Sequence, residues 1–128
     1  EGDIVAFFAD FEEFFSNEIL DKKKLIRDFS SGNRQRIGIA GALMPQPEIL
    51  ILDEPFISLD PTTQIRLKHM LRKLKEDKGV TMLISSHDLN HITEVCERIV
   101  VLHEGKAVHD LITNQDTLKV LKGYFAVS

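Results

Sequence analysis

The sequence has little of what marks a disulfide-stabilised or membrane-spanning protein. Cys96 is the only cysteine among 128 residues, which excludes an internal disulfide and a cysteine-rich metal site and fits a reducing cytosol. No apolar run is long enough to span a bilayer, and the first residues lack the basic-then-apolar pattern of a signal peptide. We therefore expect any membrane role to depend on a partner.

An excess of basic charge is also absent. The sequence has 16 basic and 20 acidic residues and a net charge of −4, so its composition indicates no general attraction to nucleic acid. Hydrophobic residues make up 43% and charged residues 28%, which is typical of a globular domain. The length fits one domain with a substantial core, without repeats or low-complexity linkers.

The chain is organised around residues 49–55. Four apolar residues lead directly into Asp53 and Glu54, and Pro55 then stops regular structure. This pattern predicts a buried strand, which we expect to be parallel and covered on both faces. Open α/β sheets bind ligands beyond the carboxyl ends of their strands, so one acid could hold magnesium while the other orients a water for attack on phosphorus. A buried strand that ends in two solvated acids explains this stretch, taken alone, at least as well.

Two helices are predicted before this strand. Residues 4–15 carry apolar side chains at helical spacing, which predicts an amphipathic helix whose phenylalanines belong to a core rather than to a binding stripe. Residues 28–36 contain hydroxyl side chains that suit a helix N-cap, and the helix must end before Pro45. The free N–H groups at its start, beside a glycine, suit contact with a phosphate, although a plain capped helix explains the pattern too.

A strand–helix–strand unit follows from residue 49 onward. Residues 58–61 predict a turn, Thr62 or Thr63 a helix cap, and Gly79 the helix end. Four side chains form the apolar stripe of this helix: Leu67, Met70, Leu71 and Leu74. Residues 80–85 predict a second strand parallel to the first, joined by a right-handed crossover. Parallel strands bring their carboxyl ends to the same edge, so we expect His87 on the same side of the sheet as Asp53 and Glu54.

The last third predicts smaller elements. A polar helix is expected at residues 89–96, a β-hairpin at residues 98–111 that completes the sheet, and a short helix at residues 114–123 capped by Asn114 and Asp116. The remaining histidines show no paired metal spacing and are interpreted as ordinary surface or partly buried side chains: His69, His91, His103 and His109.

Four segments occur in the order and at the spacing of known motifs. Residues 29–33, Phe-Ser-Ser-Gly-Asn, resemble the signature motif usually written LSGGQ, and residues 49–54 resemble a Walker B strand with its catalytic glutamate. Ser-Leu-Asp at residues 58–60 resembles a D-loop, and Ser-His-Asp at residues 86–88 resembles a switch-histidine loop. Together they resemble the carboxyl-terminal part of an ABC transporter nucleotide-binding subunit.

The resemblance implies an α/β fold. It would be a partial P-loop NTPase-type parallel sheet with flanking helices and a C-terminal β-hairpin. Residues 1–28 would be part of a helical subdomain, and residues 29–128 would be the C-terminal part of the ATP-binding catalytic domain. The resemblance also implies a cytoplasmic protein, peripheral on the cytoplasmic face of the inner or plasma membrane, with transmembrane permease subunits as partners and no nucleic acid.

Catalytic roles are implied residue by residue. Asp53 would bind the Mg²⁺ of Mg–ATP, mainly through water, and Glu54 would be the general base or water orienter for attack on the γ-phosphate. His87 would contact that γ-phosphate and stabilise the transition state. Asp60 would act across a dimer with a second nucleotide-binding subunit. These roles agree with catalysis by positioning and electrostatics.

The signature segment would contact the ATP held by the opposite subunit. Ser30 and Gly32 would meet its γ-phosphate, and the site also includes Ser31 and Asn33. The family usually has glycine and glutamine at those last two positions. A side chain at position 31 could crowd a phosphate that approaches the backbone, or its hydroxyl could donate a hydrogen bond to it.

Two further motifs of the family are missing. No segment matches the phosphate-binding pattern G-x-x-x-x-G-K-[ST], and no glutamine precedes Gln35, which leaves no glutamine loop. We therefore expect the chain to be part of a longer subunit and, by itself, to bind or hydrolyse ATP poorly. In this family the strand that carries the phosphate loop normally lies beside the Walker B strand. Without it the edge of the sheet is uncovered, so self-association of the chain is a further hypothesis. Alternative functions are an ABC-type ATPase in DNA repair, chromosome maintenance or translation, or an inert interaction fragment.

Overall fold

Helices and strands alternate along the described chain, apart from two consecutive strands near its end. The computed structural model describes Ala9, Phe11, Phe14, Phe15 and residues 31–127. The helices are α1 (Ser31–Leu43), α2 (Pro61–Lys78), α3 (Leu89–Val95) and α4 (Thr117–Val127). The strands are β1 (Ile49–Asp53), β2 (Thr81–Ser85), β3 (Arg98–His103) and β4 (Lys106–Ile112). The predicted α/β class is confirmed.

The chain divides into two compact units, Glu1–Ser85 and Ser86–Ser128. Most of the helix predicted at residues 4–15 and of the helical subdomain predicted at residues 1–28 lies outside the described residues, and so does Ser30.

β1 and β2 of the first unit pair in parallel, as predicted. Their register places Ile49 beside Thr81 and Asp53 beside Ser85, so both strands end at the same level. The pairing continues one residue further, because the N–H of Glu54 donates to the carbonyl of Ser85 at 2.9 Å. The carboxyl ends of the two strands therefore form one edge, which carries Asp53 and Glu54.

The prediction that β1 is covered on both faces is wrong. Leu50 and Leu52 are only 2% and 6% exposed, whereas Ile49 and Ile51 are 67% and 69% exposed, and Leu83 on β2 is 66% exposed. Successive side chains of a strand point to opposite faces, and in the described β1 the face of Leu50 and Leu52 is buried while the face of Ile49 and Ile51 is exposed. An apolar run shows that both faces suit burial, but it does not show whether the same chain buries both.

The N-cap of α2 is Asp60, and the helix begins at Pro61. The Asp60 carboxylate accepts from the N–H of Thr63 at 3.3 Å, and Pro61 occupies the first turn. The predicted cap at Thr62 or Thr63 is therefore wrong. Proline suits the first helical position because its φ is already helical and its missing N–H has no intrahelical partner there.

The predicted end and buried face of α2 are both confirmed. Gly79 has a φ of 66° and its N–H donates to the carbonyls of Leu74 and Lys75. The left-handed backbone region is open to glycine at little cost because glycine has no Cβ. The predicted stripe is at most 3% exposed: Leu67, Met70, Leu71 and Leu74.

Three phenylalanines confirm the core interpretation of the N-terminal segment. Phe11, Phe14 and Phe15 are 3%, 1% and 0% exposed, and the last two rings meet edge to face at 4.8 Å. The guanidinium of Arg36 on α1 lies 6.0 Å from the centre of the Phe14 ring. At that distance a cation is attracted by the face of the aromatic ring.

In the second unit, β3 and β4 form the predicted antiparallel hairpin. Among the described strands the hairpin is a separate two-stranded sheet, so the prediction that it completes the β1–β2 sheet is wrong. Arg98 donates two hydrogen bonds to the Asp110 carboxylate across the hairpin, at 2.8 and 2.6 Å. The turn uses left-handed backbone at Glu104 and Gly105. A tight turn and a cross-strand ion pair fix the pairing of the two strands locally.

α4 begins three residues later than predicted, at Thr117. The side chain of Asn114 accepts from the N–H of Asp116 at 2.8 Å, and the N–H of Asn114 donates to Thr117 Oγ1 at 2.9 Å. Asn114 and Asp116 therefore form a turn in front of the helix rather than its first turn. Within the described part of the chain, no helix combines the length and the apolar character needed to cross a membrane.

The conformation of Gly79 leads to a stability prediction. We expect Gly79→Ala to lower the free energy of unfolding by about 1–2 kcal/mol, because a Cβ disfavours the left-handed backbone. Gly41→Ala is the matched control, since Gly41 lies in α1 with no atom within 4 Å of an added Cβ. It should be neutral or stabilising, because alanine favours a helix more than glycine. Urea unfolding of both variants measures the difference, and equal stability of the two would contradict the prediction.

Candidate functional site

Asp53 lies at the end of β1 with its carboxylate exposed to solvent. Its Oδ1 accepts a hydrogen bond from the hydroxyl of Ser85, the residue opposite it on β2. Among the described residues no group of three or more histidine, cysteine, aspartate or glutamate side chains could hold a metal by itself. Mg²⁺ usually binds through one or two carboxylates, several waters and the phosphates of its substrate. A single exposed carboxylate supported by a hydroxyl fits that mode of binding.

Glu54 has an unusual backbone conformation. Its φ is 48°, in the left-handed region that costs a residue with a Cβ about 1–3 kcal/mol. Such a conformation persists where the surroundings fix it on more than one side. The N–H of Glu54 donates to the Ser85 carbonyl at 2.9 Å, and its own carbonyl accepts from Gln35 Nε2 on α1 at 3.0 Å. The strand edge and α1 thus hold the two peptide groups that flank this residue.

The described part of the signature segment forms the start of α1. Ser31, Gly32 and Asn33 lie in its first turn. A Cβ added to Gly32 would lie 2.8 Å from the carbonyl oxygen of Ser58, which itself has a φ of 64°. Real Cβ atoms do not approach a backbone oxygen so closely. Glycine at position 32 therefore allows α1 to pack against the loop at residues 58–60.

A cavity of about 370 Å³ lies where α1 meets this loop and the start of α2. Its lining includes Ser31, Gly32 and Asn33 from the signature segment and Asp60 from the loop. The structure thus brings together four of the predicted site residues from two separate segments of the sequence. Hydroxyl, amide and carboxylate groups border the cavity, which suits contact with a polar ligand or partner.

A chain of polar contacts links α1 to Asp60. Arg36 donates to Thr63 Oγ1 at 2.7 Å, and Thr63 in turn donates its N–H to the Asp60 carboxylate. The pKa of Asp60 is lowered, and the largest cause is hydrogen bonding from the side chain of Thr63. The backbone N–H of Thr63 and the positive charge of Arg36 add to that effect. Removal of Asp60 from water acts in the opposite direction, but the pKa remains below its ordinary value.

His87 lies in the second unit, in a short loop between β2 and α3. The hydroxyl of Ser86 accepts from the N–H of Asp88 at 3.0 Å, which turns the chain around His87 and leaves its side chain exposed. Asp88 caps α3 by accepting from the N–H groups of Asn90 and His91 at 2.9 and 3.3 Å. Each neighbour of His87 thus has a structural role. That His87 shares an edge with Asp53 and Glu54 stays a prediction.

Four residues that contact the site were not assigned to it from the sequence: Gln35, Arg36, Thr63 and Ser85. The role of Ser85 could have been inferred, because it is a polar residue that ends β2 just as Asp53 ends β1. The roles of Gln35 and Arg36 depend on which way α1 faces, and the polar face of a helix gives no signal of its partners.

Comparison with known proteins finds a matching family model and similar proteins. The family model described as ABC transporter matches residues 6–57. The bacitracin transport ATP-binding protein BcrA of Enterococcus faecalis is 44% identical over 91 residues, which is 71% of this chain and 30% of BcrA. The methionine import ATP-binding protein MetN of Carboxydothermus hydrogenoformans is 38% identical over 93 residues, 72% of this chain and 28% of MetN.

Solved structures agree with the sequence relatives. A dimeric, post-hydrolysis structure of the ATP-binding cassette MJ0796, bound to ADP and Pi, is 33% identical with a TM-score of 0.66 and matches 69% of this chain and 38% of that one. A nucleotide-free ATP-binding cassette from an ABC transporter has a TM-score of 0.75 over 95% of this chain and 47% of that one. At 24% identity the second likeness shows the fold alone.

The resemblance to ABC transporter ATP-binding proteins, inferred from the four segments, is confirmed. Its fold is that of an ABC-type ATP-binding cassette, as predicted. The chain spans 30% of the length of BcrA.

The contact between Gly32 and Ser58 leads to a second prediction. We expect Gly32→Ala to lower the free energy of unfolding by about 1–3 kcal/mol, because its Cβ would force α1 away from the loop at residues 58–60. Gly38→Ala lies on the same helix with no atom within 4 Å of the added Cβ and should be neutral or stabilising. Urea unfolding compares them, and a Gly32→Ala variant as stable as the wild type would refute the close approach.

The lowered pKa of Asp60 leads to a prediction about acid. Folding favours the ionised carboxylate, so its contribution to stability is complete above the ordinary pKa of 3.8 and is lost as the pH falls through the lower folded value. Asp60→Asn keeps a capping oxygen without the charge. We expect the difference in free energy of unfolding between wild type and Asp60→Asn to shrink between about pH 5 and about pH 2. A difference that stays constant over this range would show that the charge contributes nothing.

Proposed function

We propose that the protein is the ATP-binding subunit of an ABC transporter and hydrolyses ATP to drive transport across a membrane. The relatives support this proposal, since BcrA is named for bacitracin transport and MetN for methionine import. Those names favour transport over the alternatives in DNA repair, chromosome maintenance and translation. We further propose that residues 1–28 belong to a helical subdomain and residues 29–128 to the catalytic domain.

The left-handed turn at Glu54, at the end of β1, is the observation that carries the proposal. It presents a carboxylate directly after the strand while the backbone of the turn is held by Ser85 and Gln35. Glu54 is proposed to orient the attacking water and to accept its proton as the γ-phosphate is transferred. Little covalent chemistry is required of the protein in phosphoryl transfer, so a fixed position for this carboxylate is the main requirement.

Asp53 is the proposed ligand of Mg²⁺, mainly through water. The hydroxyl of Ser85 fixes the orientation of one carboxylate oxygen by its hydrogen bond. When bound, the ion would neutralise negative charge on the phosphates of ATP. The side chain of His87, exposed in its loop, is proposed to contact the γ-phosphate and to stabilise the charge that it carries in the transition state.

The signature segment and Asp60 are proposed to act across a dimer of nucleotide-binding subunits. Ser30, Ser31, Gly32 and Asn33 would contact the ATP of the second subunit, and Asp60 would couple the two sites. The likeness to a dimeric cassette supports this arrangement. The free N–H groups and the positive end of the dipole at the start of α1 favour an anionic phosphate.

The other proposed partners are transmembrane permease subunits. The protein would then lie at the cytoplasmic face of the inner or plasma membrane, without nucleic acid. The family and the names of the relatives support these partners and this location.

A substitution at Glu54 tests the proposed reaction. In the full-length protein, Glu54→Gln should lower kcat for ATP hydrolysis by about 100-fold or more, since general bases contribute factors of this size. ATP binding should persist, because the amide has the shape of the carboxylate. Release of phosphate and binding of a fluorescent ATP analogue measure the two properties.

Glu104→Gln is the matched control. Glu104 is also a glutamate in left-handed backbone, with a φ of 49°, but it lies in the β-hairpin turn. Its substitution should leave hydrolysis unchanged. Unchanged hydrolysis in Glu54→Gln, or equal losses in both variants, would refute the role given to Glu54.

A further inference from the structure

We infer that Gln35 is a positioning residue for the proposed base Glu54, and that its side-chain amide sets the rate of hydrolysis by holding the Glu54 turn. The inference rests on the proposed function and adds a residue from a different element. Gln35 itself need not touch ATP or the attacking water. It acts on the backbone from which the Glu54 side chain projects.

The contact geometry singles out Gln35. Its Nε2 donates to the carbonyl oxygen of Glu54 at 3.0 Å, across 19 positions of sequence. The N–H of Glu54 donates to Ser85 at 2.9 Å on the other side. The two peptide groups that flank the Glu54 Cα are therefore each held by a hydrogen bond, and together they fix the direction of its Cα–Cβ bond.

Local preference does not hold this turn. Glutamate disfavours a φ of 48°, so the local backbone preference works against the observed conformation. Pro55, which follows directly, removes one N–H that could otherwise close a turn. Within the turn, the N–H of Ile57 also donates to the Glu54 carbonyl, at 3.3 Å, which is longer than the 3.0 Å bond from Gln35. Contacts within the turn and from other elements therefore fix the strained conformation together, and Gln35 supplies the shorter bond to this carbonyl from α1. Without this donor we expect Glu54 to relax toward negative φ, which would turn its carboxylate away from its working direction.

α1 is a suitable support for such a contact. Gly32, one helical turn before Gln35, packs against the Ser58 carbonyl, and Arg36 donates to Thr63. The helix is thus fixed to the following loop and to α2 on either side of Gln35. A side chain on an anchored helix holds its partner more firmly than one on a free loop.

The chain offers a matched control for the loss of such a bond. Gln64 on α2 donates its side-chain amide to the carbonyl oxygen of Phe56, two residues after Glu54, at 3.3 Å. The chemistry of this bond is the same, but the carbonyl it holds does not belong to Glu54. A general effect of loosening the loop would appear equally in Gln35 and Gln64 variants, whereas an effect on Glu54 would appear only in Gln35 variants.

The experiment uses ATP hydrolysis by the full-length protein. Gln35→Leu removes the donor, and Gln35→Glu keeps the shape but presents an acceptor to the Glu54 carbonyl. We expect both variants to lower kcat by about 10-fold while KM for ATP changes by less than about twofold, because small misplacements of a reacting group cost rate rather than binding. Gln64→Leu should keep the wild-type kcat. Thermal unfolding identifies a variant that does not fold, and Gln35→Glu then decides the test.

A double-mutant cycle separates positioning from general stability. If Gln35 acts through Glu54, Gln35→Leu should change the residual rate of a Glu54→Gln protein by less than about twofold, because the group it positions is no longer a base. Wild-type kcat in folded Gln35 variants, an equal loss in Gln64→Leu, or a full loss in the Glu54→Gln background would each overturn the inference.

The same experiment separates the two claims. A wild-type protein that hydrolyses no ATP, or a Glu54→Gln variant that is as active as the wild type, refutes the proposed function and the inference together. Normal wild-type activity, loss in Glu54→Gln and full activity in the Gln35 variants refute the inference alone.

Discussion

The parallel register of β1 and β2 is the constraint on which the candidate site depends. It places Ser85 directly opposite Asp53, so that one residue of β2 gives its hydroxyl to the Asp53 carboxylate and its carbonyl to the N–H of Glu54. A shift of one residue would separate both pairs and would exchange the faces of the strand. Backbone pairing, which is independent of side-chain identity, thus fixes two adjacent acids that are proposed to have different tasks.

α1 extends that constraint to the neighbouring loop. Within two helical turns it contacts three separate points: Ser58 through Gly32, Glu54 through Gln35, and Thr63 through Arg36. The cavity near the start of α1 and the turn at Glu54 are therefore supported by one helix. A helix that holds the loop and the turn at several points suits catalysis by preorganised electrostatics.

Two errors made from the sequence share one physical cause. Burial of a strand on both faces and the joining of the hairpin to the β1–β2 sheet both depend on what lies next to a segment in space. Ile49, Ile51 and Leu83 are exposed although they are apolar. An apolar pattern thus indicates which side chains favour burial, but the packing of other segments decides whether they are buried. The choice of cap for α2 is a different error, because an aspartate before proline is a common start of a helix and could have been recognised from the sequence.

By itself, the sequence determined most of the elements and the family resemblance. The apolar run before Asp53, the stripe of α2 and the left-handed Gly79 follow from side-chain chemistry over a few neighbouring residues, and four short segments sufficed to identify the family. Only the tertiary structure decided which polar groups meet. The pairs Gln35–Glu54, Arg36–Thr63 and Ser85–Asp53 span 19, 27 and 32 positions of sequence. Contacts over such separations depend on how helices and strands pack, and packing joins residues whose local patterns carry no information about each other.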